Sequence, residues 1–146
     1  MTGGAGFLLA VLWFDLMFDL QVHGRGSGDL PEETLASIAA YYRRVTTAAR
    51  PMNRLIAAVM VATLAAVIVQ IAKADDPAWI GWTSLGLTAF AIVLAAVHTV
   101  PAAVRLGTRA DPAAVQSRLA RSVYRDHLIC LAAIASVLAI QLIGSP

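Results

Sequence analysis

Asp15, Asp19 and His23 fall at i, i+4 and i+8 inside the apolar stretch that opens the chain. On a helix this spacing draws one polar stripe, about 12 Å long at roughly 1.5 Å rise per residue. Two carboxylates and an imidazole so placed suit general acid/base catalysis on a lipophilic substrate, with a proton shared or relayed between Asp15 and Asp19. His98, His127 and Arg54 form a candidate cofactor-binding set. Asp19, His23, His98 and His127 have the donor types of a metal or haem site. No Glu-x-x-His or His-x3-His pair is present, so folding alone would have to assemble those four. Each group also has a plainer reading. A carboxylate at mid-bilayer costs roughly 2.5–3.5 kcal/mol, so Asp19 is expected to find a basic partner, Arg54 or Arg125. Arg118, Arg121 and Arg125, at i, i+3 and i+7, form a helix face that meets anionic lipid or clamps an anion over the site. Tyr41, Tyr42 and Tyr124 read as interface anchors.

The elements that must position these groups are membrane helices. Of 146 residues, 59% are hydrophobic and 14% charged. A soluble domain carries about a quarter charged residues. The apolar residues gather into four blocks of bilayer-crossing length, residues 5–22, 53–73, 78–104 and 126–143. Amphipathic helices are expected at 31–50 and 112–125, with Asp111-Pro112 as the N-cap and first residue of the second. Gly24-Arg-Gly-Ser-Gly28 reads as a flexible turn, and Lys73-Ala-Asp-Asp-Pro77 as a polar turn. Pro101 is expected to bend or end the third span. Gly3, Gly4, Gly6, Gly81 and Gly86 would permit close helix contact. The opening residues lack a basic segment and a cleavage site, so no removable signal peptide is expected. The lone Cys130 allows no intrachain disulfide.

Ten of the eleven basic residues border the connections between spans one and two or between spans three and four; the exception is Lys73. By the positive-inside rule both connections are cytoplasmic and both termini lie outside. Net charge is +2, and the arginines flank apolar spans, which points to lipid headgroups rather than nucleic acid. The expected architecture is therefore all-α: a single domain of four transmembrane helices with two cytoplasm-side amphipathic helices. Asp19, His23, His98, His127 and Arg54 all fall toward the cytoplasmic leaflet. The other leaflet holds little beyond Gln70, Gln141, Thr83 and Ser84. Arg54 and Gln70 recur as Arg125 and Gln141 at one separation, a faint internal repeat.

Thr99-Val-Pro-Ala-Ala-Val-Arg-Leu106 at the end of the third span, and Arg121-Ser-Val-Tyr-Arg-Asp-His127 before the fourth, resemble small bacterial four-helix membrane proteins of unassigned function. More broadly they are similar to the anthrone-oxygenase-like group. Val100-Pro101 and Tyr124-Arg-Asp-His127 carry the resemblance; Ala102 stands where that group tends to have Asn. The resemblance implies cofactor-free oxidation of an aromatic, quinone-like substrate. The expected function is a multi-pass protein of a bacterial inner membrane whose cytoplasm-side polar site binds or oxidises a lipophilic small molecule. The alternatives are a non-catalytic accessory or assembly subunit of a larger membrane complex, metal or haem binding, and proton handling. The sequence leaves catalysis open and requires no cofactor. The expected partners are lipid and either a second copy or a larger complex.

Overall fold

A computed structural model describes residues 2–48, 50–73 and 77–144, with residues 50–52 described by backbone alone. Most of the polar turn at 73–77 lies outside the described residues. Helix α1 (Thr2–Asp19) runs into a 3-10 turn, Leu20–Val22. Helix α2 (Glu32–Arg43) is followed by a π-helical stretch, Arg44–Ala48, and then by α3 (Arg50–Lys73). Helix α4 (Ala78–Leu94), a second π stretch (Ala95–Thr99) and α5 (Val100–Thr108) run on without a break in helical structure. Helix α6 (Ala113–Gly144) closes the chain. Among the described residues there is no strand, and four helices are long and apolar enough to cross a membrane: Thr2–Val22, Asn53–Lys73, Ala78–Thr108 and Ala113–Gly144.

Helices α1 and α4 each pack along both α3 and α6, so the spans close into a ring with α3 and α6 diagonally opposed. One core fills the middle of this ring, built on Ala5, Leu8, Ala91, Cys130, Ala133 and Ile134. Helix α6 has 32 residues. At roughly 1.5 Å per residue it is about 48 Å long, well beyond a hydrocarbon core of about 30 Å. Its N-terminal third projects past the spans and, with α2 and α5, forms a second core from Val22, Leu35, Ile38, Tyr42, Ala102, Leu106, Ala120 and Val123. Asp19 and His127 lie at the junction of the two cores.

Several local expectations change. Pro101 does not end the third span, which continues to Thr108. A proline has no N–H for the carbonyl four residues earlier, and its ring crowds that turn. The wide π turn at Ala95–Thr99, just ahead of Pro101, absorbs the mismatch. The amphipathic helix expected at 31–50 is regular only to Arg43; Arg44–Ala48 is again π-helical, ahead of Pro51. The helix expected at 112–125 is the start of α6 itself. Pro112, not Asp111, supplies the capping carbonyl, which accepts from the Val115 and Gln116 amides. The Asp111 carboxylate instead accepts Arg105 Nε at 2.8 Å and Nη2 at 2.7 Å, and these bonds hold its carboxyl below the usual range.

The glycine-rich turn at 24–28 is tied down rather than flexible. Gly24 supplies a φ of 72°, a left-handed value that suits glycine. Arg121 Nη2 then donates to the carbonyls of Gly26, at 2.7 Å, and Gly28, and the Leu30 amide donates to Ser117 Oγ at 2.8 Å. Of the glycines expected at close contacts, Gly4 meets Thr63 and Gly81 meets Ile71, whereas Gly3, Gly6 and Gly86 have open space. The tightest backbone approach is elsewhere: a Cβ on Gly107 would sit 2.9 Å from the Arg43 amide nitrogen, so only glycine lets α5 lie against α2. Gly107→Val is expected to destabilise the protein by about 1–3 kcal/mol. Gly86→Ala is expected to stay within about 0.5 kcal/mol of the parent. Denaturation midpoints in mild detergent check both.

Candidate functional site

The Asp stripe of α1 meets α2 and α6. Asp19 is 0% exposed. Its Oδ1 accepts the Tyr42 hydroxyl at 2.6 Å, and its Oδ2 lies 2.6 Å from His127 Nδ1. One turn earlier, Asp15 Oδ1 accepts the Tyr41 hydroxyl at 2.6 Å, and its Oδ2 is 3.9 Å from His127 Nε2. A chain therefore runs from Tyr41 through Asp15, His127 and Asp19 to Tyr42, joining three helices. Ring packing holds it: Phe18 stacks on Tyr41 with centroids 4.0 Å apart, and Tyr41 meets Tyr42 edge-on at 5.3 Å. Burial first, and then the neighbouring carboxylates, push both α2 phenols well above their ordinary range, so they remain protonated donors.

A second cluster sits beside the first on α6. Asp126, also buried, has Oδ2 at 2.5 Å from His98 Nδ1 and accepts Thr99 Oγ1 at 3.3 Å. His98 and Thr99 are consecutive and would diverge by about 100° on a regular helix. The π turn that holds them lets both reach one carboxylate. At the opposite end of the bundle, Gln141 exchanges amide hydrogen bonds with Gln70 at 3.0 and 3.1 Å and donates to Ser84 Oγ at 2.9 Å.

The structure thus brings Asp15, Asp19 and His127 together and separates them from the other candidates. His23 is exposed beyond α1, its Nδ1 3.2 Å from the Tyr124 hydroxyl. His98 belongs to Asp126. Neither Arg54 nor Arg125 reaches Asp19. Arg54 is exposed, and Arg125 lies no nearer than 3.9 Å to Asp126. Long arginine side chains extend toward water, and a neutral phenol plus an imidazole already fill both oxygens of Asp19. Among the described residues, no three His, Cys, Asp or Glu side chains form a group that could hold a metal ion. Tyr42 is buried in the second core rather than an interface anchor, and both Tyr41 and Tyr42 donate to the carboxylates. A signal for this was present. Tyr42 continues the helical stripe of Leu35 and Ile38, and a phenol on a buried stripe needs an acceptor. What this arrangement does chemically is hold two carboxylates in an apolar setting with a matched set of donors.

A family model described as ER membrane protein SH3, of the SHR3 chaperone family, matches residues 2–145. The chain belongs to this family. No curated protein and no solved structure matches it. The match agrees with the small-membrane-protein part of the sequence resemblance and gives no support to the anthrone-oxygenase part or to oxidation. The family's membrane is the endoplasmic reticulum, so a bacterial inner membrane finds no support either. This SHR3 family member is a multi-pass membrane protein whose buried network spans α1, α2 and α6.

Two predictions follow from the network. Tyr42→Phe removes one donor from a buried carboxylate and is expected to cost about 1–3 kcal/mol, read as a lowered denaturation midpoint in detergent. The second concerns alkali. The raised Tyr42 phenol holds its proton more tightly folded than unfolded, so this stabilisation is complete below the ordinary phenol value of 10.0 and fades as pH rises above it. The parent should therefore lose more stability between pH 9 and about 11 than Tyr42→Phe does.

Proposed function

We propose that this chain is a non-catalytic, chaperone-like accessory of the endoplasmic reticulum membrane that associates with other polytopic membrane proteins during their assembly. The observation that carries this reading is the family match across residues 2–145. The network supports it in a second way. Of the two carboxylates expected to share a proton, Asp19 is wholly buried with both oxygens occupied and Asp15 accepts the Tyr41 hydroxyl, while His23 is spent on Tyr124. Asp15, Asp19 and His127 act in this reading as the joint that fixes α2 against the spans. The remaining candidates, His98, His23 and Arg54, have no shared ligand in it.

The orientation belongs to the same proposal: the connections at 23–49 and 109–112 face the cytosol, where arginines are retained. The basic residues gathered at that end support it. The decisive experiment is deletion of the chain in its host, with aggregation of newly made membrane proteins assayed in mild detergent. Polytopic proteins should aggregate or stay in the endoplasmic reticulum, single-span proteins should not, and re-expression should restore both. Normal maturation of polytopic proteins in the deletion strain would refute the chaperone reading.

A further inference from the structure

Helices α5 and α6 frame a cleft away from the Asp–His–Tyr network. Its volume is about 410 Å³, and Arg105, Val115, Arg118, Leu119 and Ser122 line it. The four α6 residues fall at i, i+3, i+4 and i+7, so they share one helix face, and Arg105 comes from α5. Two of the five guanidinium N–H groups of Arg105 go to Asp111, which orients the side chain and leaves three donors for another acceptor. Arg118 is exposed and has no acidic partner among the described residues. Arg105, Arg118 and Ser122 thus share the lining of this cleft with half-buried Val115 and Leu119.

We propose that this cleft binds a phosphate group. The donors fit that chemistry: guanidinium forks match phosphate oxygens in pairs, and one hydroxyl adds a third direction. The cleft lies on the N-terminal part of α6 and beside the end of the third span, which in the orientation proposed above is the cytosolic headgroup region. Basic pockets between membrane helices at that depth take lipid phosphates. The apolar walls favour a phosphate that carries a hydrocarbon chain. The same donors would also accept soluble phosphate.

The test uses the full chain in a neutral detergent, with native mass spectrometry against dioleoylphosphatidylglycerol and a parallel titration with inorganic phosphate. Saturable phosphatidylglycerol binding is expected, weakened about fivefold by Arg118→Gln. Arg25→Gln, an exposed arginine outside the cleft, should leave it unchanged. If millimolar inorganic phosphate displaces the lipid in an Arg118-dependent way, the source of the phosphate includes soluble ions. If it does not, and Arg118 still matters, the ligand is lipid. Equal phosphatidylglycerol binding by the parent and Arg118→Gln, or no binding of either probe, overturns the proposal.

Discussion

A carboxylate inside an apolar helical bundle must be met by donors, because neither lipid nor hydrocarbon side chains replace its lost water. Asp19 imposes that demand here, and the packing of the α2 end of the molecule follows from how it is met. Tyr42 comes from α2 and His127 from α6, so satisfying one side chain requires three helices to meet at one point. Asp15 repeats the arrangement one turn away with Tyr41 and the far side of the same imidazole. The chemistry is that of a joint: short charge-assisted bonds that lock the orientation of α2, where lipid-like apolar contacts would leave it free to rotate.

Around this joint the second core takes shape. Helix α5 can press on α2 only because Gly107 presents no side chain to the Arg43 backbone. The two π stretches solve a related problem of register. Each lies just ahead of a proline, where the regular ladder cannot continue unaltered, and the second also delivers His98 and Thr99 to Asp126. The loop between α1 and α2 is pinned to α6 by Arg121 and Ser117. One helix of 32 residues thereby acts as the common wall of both cores.

The bundle carries its hydrogen-bonded polar side chains chiefly at two levels, with the buried hydroxyls of Thr63 and Thr88 between them. Near α2 the groups are ionisable; at the far end an amide pair, Gln70 with Gln141, bridges the α3/α6 diagonal. The faint repeat in the sequence relates those two glutamines, and the fold brings them into contact. The same repeat relates Arg54 to Arg125, which share nothing but exposure. The spans expose large apolar side chains such as Trp13, Phe14, Val61 and Val97, as lipid-facing surfaces do.

Four spans, an all-helical fold and the gathering of basic residues at one end were legible in the sequence by itself. Hydropathy over about 20 residues and the placement of arginines are properties of contiguous segments, and the bilayer reads them segment by segment. Asp15 and Asp19 were likewise recognisable as demanding partners. Which partners they found was decided only by the tertiary structure. Tyr42 is 23 residues from Asp19, and His127 is 108 residues away. Arginine was the natural expectation for a buried acid, yet in three dimensions phenols on a buried helix face reached the carboxylates first while the long cationic side chains extended outward. The continuation of the third span past Pro101 was hidden for the same kind of reason. Proline's local rule forbids a regular turn, but a single wide turn, packed against α6, satisfies it without ending the helix.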